Sequence, residues 1–186
     1  TMEVLDRHQF DVPSLENYMQ EHVEGFEGKI SVEEFKGGQS NPTYKIITPK
    51  QSYVLRRKPP GKLLKSAHAV DREYTVITAL NQTDVPVPKS YALCEDEDVI
   101  GTAFYIMEFK DGRVLWDPAM ENSDQDEAKG VYESMNESMA KLHSVDPDKI
   151  GLSNYGKPGN YVGRQVSRWS KQYLDSETQT IESMNN

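Results

Sequence analysis

The sequence predicts an α+β fold: a five-stranded antiparallel sheet with one helix inserted after its third strand, followed by helices alone. Three observations carry this. Residues 30–57 hold three short runs rich in β-branched and aromatic side chains, separated by a Gly-Gly loop and a Pro turn. A single stretch of helical period, residues 66–80, follows them, and two more strand-like runs come after it. Beyond Asp111-Gly112 the strand signals stop and amphipathic helical patterns take over.

Each element has a local cause. Residues 11–24 open with Asp11 as a cap and Pro13 in the first turn, and Leu15, Tyr18, Met19, His22 and Val23 recur at helical spacing until Gly25 and Gly28 break the pattern. Ile30 to Phe35, Thr43 to Ile47 and Ser52 to Arg57 read as strands of an antiparallel meander, with Lys36 to Pro42 as a loop and Thr48 to Gln51 as a turn. Lys58-Pro59-Pro60-Gly61 ends the third strand. The next helix places Ala67, Val70, Tyr74, Ile77 and Leu80 on one face, and Val85-Pro86-Val87-Pro88 is extended by its prolines. Tyr91 to Cys94 and Ala103 to Met107 are the last two strands, with Glu95 to Asp98 between them expected as a solvated hairpin tip. Residues 124–143 carry Val131, Met135, Met139 and Leu142 on one stripe, and His143 suits the C-terminal end of that helix. A Gly-, Asn- and Pro-rich loop, Gly151 to Asn160, precedes a final helix with Tyr161, Gln165, Val166, Trp169 and Tyr173, and a polar tail runs from Ser176 to Asn186. Strand, loop, strand, strand, helix, strand, strand, helices is the layout of the small lobe of protein-kinase-like folds.

Composition narrows the function classes. Among 186 residues, 30 Asp and Glu against 21 Lys and Arg give a formal net charge of −9, which argues against a nucleic-acid binder relying on bulk phosphate attraction. Cys94 is the single cysteine, so neither an intrachain disulfide framework nor a Cys-based zinc cluster is available, and a reducing, cytoplasmic setting is expected. No apolar run approaches the roughly 20 residues that span a bilayer, and no membrane association is expected. The first residues lack the basic and apolar regions of a secretory signal, and Thr1 ahead of Met2 reads as a remnant before a natural start.

Four features carry chemistry. Gly37-Gly38-Gln39-Ser40-Asn41 between two strands lets backbone N–H groups approach phosphate oxygens; a plain hairpin turn is the competing reading, and the loop is not a Walker A motif. Val54 and Arg56 alternate onto one strand face, so a cation lies beside an apolar residue able to contact a base; a solvated basic end, Arg56-Arg57-Lys58, is the alternative. Glu73 lies beside the apolar face of its helix, within reach of Arg56, or else is an ordinary exposed salt-bridge partner. Phe104 to Phe109 runs into Lys110-Asp111-Gly112, where a hinge between lobes would expose backbone groups suited to an adenine edge; for Phe104 and Ile106, core is the better reading.

Together, Phe35 to Tyr44, Tyr53 to Gly61, Asp71 to Tyr74, Val85 to Pro88, Gly101 to Phe109, Ala140 to His143 and Arg164 to Tyr173 resemble the aminoglycoside phosphotransferase-like family. The similarity is strongest to the branch also found fused ahead of acyl-CoA dehydrogenases in animals. The resemblance implies a bilobal kinase-like fold that binds ATP and Mg²⁺ and phosphorylates a hydroxyl of a small molecule. By that resemblance Gly38, Ser40 and Asn41 lie over the phosphates, and Arg56 takes the place of the family's strand-three Lys with Glu73 as its partner. Met107 stands at the back of the adenine pocket, and Glu108 and Phe109 offer hinge backbone to the base.

The family's catalytic loop reads His-Gly-Asp with an Asn five residues beyond that Asp, and a later Asp binds metal. None of the four histidines here, His8, His22, His68 and His143, has an Asp two residues on. The expectation is therefore residues 1–110 as the nucleotide-binding small lobe and residues 111–186 as hinge and start of a helical large lobe, truncated before the catalytic loop, with the Mg²⁺ ligands outside this chain. A non-catalytic nucleotide-binding or interaction module is the alternative, and a plain α+β domain with a structural Gly loop is a third reading. The substrate and the oligomeric state are not specified by these residues.

Overall fold

In the computed structural model, which describes residues 1–36, 40–61 and 68–179, the elements follow the order the sequence predicts. Helix α1 (Val12–His22) begins where the Asp11 side chain accepts from the Ser14 N–H at 2.9 Å, with Pro13 in its first turn. Strands β1 (Ser31–Glu34), β2 (Thr43–Ile47) and β3 (Ser52–Arg57) are antiparallel neighbours. Helix α2 (Val70–Leu80) follows, then β4 (Ser90–Cys94), a one-turn helix α3 (Glu97–Ile100) and β5 (Phe104–Glu108). The predicted start of the second helix, residues 66 and 67, lies outside the described residues.

The sheet order is β1-β2-β3-β5-β4, so the last hairpin folds back and puts β5 beside β3. This places β5 inside the sheet between β3 and β4, with Phe104, Tyr105 and Ile106 each no more than 2% exposed. Cross-strand register then fixes two faces. Leu55 stands opposite Tyr44 and Ile106, whereas Arg56 stands opposite Thr43 and Tyr105, and Val54 opposite Lys45 and Met107.

Each face has its own helix. Leu15 and Met19 of α1, with Val23 and Phe26 beyond it, pack on Tyr44, Ile46, Tyr53, Leu55, Phe104 and Ile106. On the opposite face Val70, Tyr74 and Ile77 of α2 pack on Ala103, Tyr105, Leu93 and Met107, covering β4 and β5. Alternation also sends Arg57 to the α1 side, where it is 2% exposed. Its guanidinium donates to the Ile100 and His8 carbonyls at 3.2 and 3.1 Å and lies over the Phe10 and Tyr44 rings. The basic end of β3 is thus not a solvated run: Arg57 is a core residue whose charge is met by carbonyl oxygens and ring faces.

Glu95 to Asp98 are exposed at the tip of the antiparallel β4–β5 pair, as expected, but the tip also holds a turn of helix. Asp96 caps α3 by accepting from the Asp98 N–H at 2.9 Å, and Gly101, at φ 85°, ends it in the left-handed region. Ile100 is buried in the α1-side core and anchors this turn, which a reading of Glu95 to Asp98 by charge alone missed.

Two compact units divide the chain, Thr1–Asp146 and Pro147–Asn186. The first includes α4 (Gln125–His143), capped by Asp124, and the second α5 (Tyr161–Ser176). Neither helix has a buried residue; Met135, Met139 and Leu142 of α4 and Val166 and Trp169 of α5 are exposed along their apolar stripes.

Buried phenols make the fold sensitive to alkali. Burial pushes the Tyr44 hydroxyl up to about 12 against the lowering pull of Arg57, and Tyr18 and Tyr105 are raised by burial as well. Their neutral forms are favoured by folding, so this stability is intact below the unfolded-chain value near 10 and falls as pH rises from about 10 to 12. Urea denaturation at stepped pH should show that decline, and Tyr44→Phe should flatten it by about 2 kcal/mol at its upper end.

Candidate functional site

The α2 side of the sheet gathers the predicted polar residues. Alternation points Arg56 out of this face, and the spacing of Val70, Tyr74 and Ile77 turns Glu73 toward it. Arg56 Nε donates to Glu73 Oε2 at 2.7 Å, the ion pair the register predicts. Tyr105 Oη donates to the same oxygen at 3.1 Å, and Asn41 Nδ2 donates to Glu73 Oε1 at 3.1 Å. Arg56 Nη1 donates to Thr43 Oγ1 at 3.0 Å and more weakly to the Asn41 carbonyl at 3.4 Å. Two guanidinium nitrogens are thus held inside the chain, and among the described residues nothing accepts from Nη2. The fork geometry of arginine permits this division; a lysine ammonium has no equivalent.

Asn41 does not point into open space. It is 3% exposed, and besides Glu73 it holds His68, whose Nδ1 lies 2.8 Å from Asn41 Oδ1. Because Nδ2 faces the carboxylate, Oδ1 must accept, and His68 carries its proton on Nδ1. Ser40 beside it is exposed, and Gly38 lies outside the described residues.

Next to Arg56 on this face stand two apolar residues, Val54, which is buried, and Met107, which is half-buried and also packs against the α2 cluster. Val54 and Met107 are cross-strand neighbours there. Phe109 stacks on Phe35 with ring centroids 6.4 Å apart and 23° between planes, and Lys45 Nζ stands 4.2 Å over the Phe109 ring. Phe35 and Lys45 escaped the sequence reading, although β2 alternation puts Lys45 opposite Val54. Glu108 has its polar groups already engaged. Its N–H donates to the Lys89 carbonyl at 2.8 Å, and its carboxylate accepts from Lys110 Nζ at 2.7 Å and from the Lys89 N–H at 3.1 Å. The Lys110 hydrogen bond, with that of Lys89, holds this carboxyl below its ordinary range. Its N–H is thus engaged within the sheet edge and not free for a base.

The model of the phosphotransferase enzyme family matches residues 31–185. The chain belongs to that family. A crystal structure from Ralstonia eutropha, of a protein assigned as an aminoglycoside phosphotransferase, is 55% identical with a TM-score of 0.76 over 95% of this chain and 51% of that one. Acyl-CoA dehydrogenase family member 11 of Rattus norvegicus is 43% identical over 99% of this chain, and that of Homo sapiens 41% identical over 98%. The chain spans 24% of the length of each of these two relatives. The five-stranded sheet with its inserted helix is accordingly the small lobe of a kinase-like phosphotransferase fold. Among the described residues no helix is long and apolar enough to cross a membrane, and no three His, Cys, Asp or Glu side chains gather as metal ligands.

The polar cluster has a stability consequence. Glu73→Ala leaves Arg56, Asn41 and Tyr105 without their acceptor in a partly buried site, whereas Glu97 is exposed. Glu73→Ala is expected to cost about 1–3 kcal/mol and Glu97→Ala under about 0.5 kcal/mol in chemical denaturation.

Proposed function

We propose that this chain is the nucleotide-binding part of an ATP-dependent phosphotransferase acting on a hydroxyl of a small molecule, with the catalytic loop outside these residues. The observation that carries the reading is Arg56. It is pinned by Glu73 and Thr43 through two nitrogens, nothing among the described residues accepts from Nη2, and Val54 and Met107 share its sheet face. A fixed cation on the same face as apolar side chains suits a phosphate chain attached to a base. Arg56 Nη2 would meet phosphate oxygens, with Gly38 and Ser40 contributing loop backbone. Val54 and Met107 would contact the base, and Phe109 would present backbone at the hinge. Bound ATP supplies the transferable phosphoryl group. Mg²⁺ ligands and the group that orients the acceptor hydroxyl belong, on this reading, to the large lobe. The cytoplasm is the proposed compartment, in keeping with a single cysteine, Cys94, and so no intrachain disulfide.

A second reading is a nucleotide-binding module without catalysis, in which no His-x-Asp motif follows these residues. Whether the gene encodes such a motif beyond Asn186 separates the two. Nucleotide binding itself is tested by heating the chain with ATP at about five times its Kd. Linkage gives about 1 kcal/mol and a rise of about 2–4 °C. No rise at millimolar ATP, or an equal rise in Arg56→Ala, contradicts the reading.

A further inference from the structure

Arg56, Glu73, Asn41 and His68 form one continuous chain of hydrogen bonds that crosses three separate parts of the sequence. Its outer member is unusual. His68 has φ 58°, a left-handed conformation that non-glycine residues rarely adopt. That backbone places Nδ1 at 2.8 Å from Asn41 Oδ1 just before α2 begins. Asn41 is buried, so its amide has one usable orientation: oxygen to His68, nitrogen to Glu73. Glu73 Oε1 is thereby held on one side, and Oε2 is left to Arg56 Nε and Tyr105 Oη.

We infer that His68 and Asn41 are positioning residues which fix Glu73, and through it the direction of the Arg56 fork, so that Nη2 is presented to nucleotide phosphate. This rests on the nucleotide-binding reading and assigns to Asn41 a role other than direct phosphate contact. Without the tether the Glu73 carboxylate can rotate, Arg56 gains alternative pairings, and phosphate binding has to reorder the fork. His68 acts at a distance from the ligand and touches no reacting atom.

The test exploits imidazole geometry. An Asn side chain places its amide N–H near the position of Nδ1, and Asn is among the residues that best tolerate positive φ. A Gln side chain reaches toward the position of Nε2 and misses Asn41. His68→Asn and His68→Gln are compared in the full-length protein by calorimetric titration with ATP. In the 186-residue chain they are compared by the solvent-exchange rate of the Arg56 Nε–H resonance. His68→Gln is expected to weaken ATP about three- to tenfold and to speed that exchange, while His68→Asn recovers the affinity and the slow exchange. Asn41→Ser, which is too short to bridge both partners, should behave as His68→Gln and covers a folding failure of the latter.

Equal affinities and equal exchange rates for the Gln and Asn variants overturn the proposal. So does faster exchange with unchanged affinity, provided Arg56→Ala still weakens ATP. If Arg56→Ala itself leaves ATP affinity unchanged, the nucleotide reading fails instead, and the exchange rates still decide whether the tether orders the fork.

Discussion

Arg56→Ala in the full-length protein is expected to lower kcat/KM for ATP by about 10²–10³-fold, the scale seen when one preorganised donor to developing phosphoryl charge is removed. The size follows from how the residue is held. Glu73, Thr43 and the Asn41 carbonyl engage Nε and Nη1, so the side chain is ordered before any ligand arrives. Substitution removes the charge and strands the Glu73 carboxylate together. Arg56→Lys should fall between wild type and alanine, about tenfold down. A single ammonium keeps the charge but must choose between Glu73 and a phosphate oxygen, and it cannot reproduce the division of the fork. Steady-state kinetics against ATP at saturating acceptor measure both. An unchanged kcat/KM in Arg56→Ala would remove Arg56 from the site.

The 186-residue chain by itself is expected to transfer no phosphoryl group to a panel of hydroxylated acceptors, a loss of many orders of magnitude against the full-length protein. Phosphoryl transfer depends on metal bridging the phosphates and on a group that aligns the acceptor hydroxyl. The family motif that supplies both begins with a His-x-Asp sequence, and none of His8, His22, His68 or His143 starts one. A radiometric assay of γ-phosphate release checks this. Turnover that disappears in Arg56→Ala would mean that a catalytic group lies within these residues.

The strands were legible because their cause is local. Thr43 to Ile47 and Ser52 to Arg57 alternate β-branched and aromatic residues between clear turn signals, and the observed β2 and β3 have those bounds. The same alternation put Arg56 and Val54 on one face and made the Arg56–Glu73 pair predictable. The sheet order was not legible, since nothing local tells β5 rather than β4 to lie beside β3. Burial of Arg57 escaped for a related reason: its acceptors, on His8 and Ile100, lie 49 and 43 residues away. Asn41 is the sharpest case. Its neighbours Gly37 to Ser40 announce a loop, and loop asparagines suggest solvent or ligand. Its partners, Glu73 and His68, are 32 and 27 residues on and leave no periodic trace. Long-range polar pairing is where a single sequence says least, and the candidate site is built from such pairs.

The sheet face that carries Val54, Arg56 and Met107 is proposed as the nucleotide surface. Titrating the isotope-labelled 186-residue chain with ATP and following its amide, methyl and arginine side-chain resonances tests that claim most directly. Saturable shifts are expected at Val54, Arg56, Met107 and Phe109, with Tyr53, Leu55 and Ile106 on the α1 side unmoved. Shifts confined to the α1 side, or none at these residues with millimolar ATP, would contradict it.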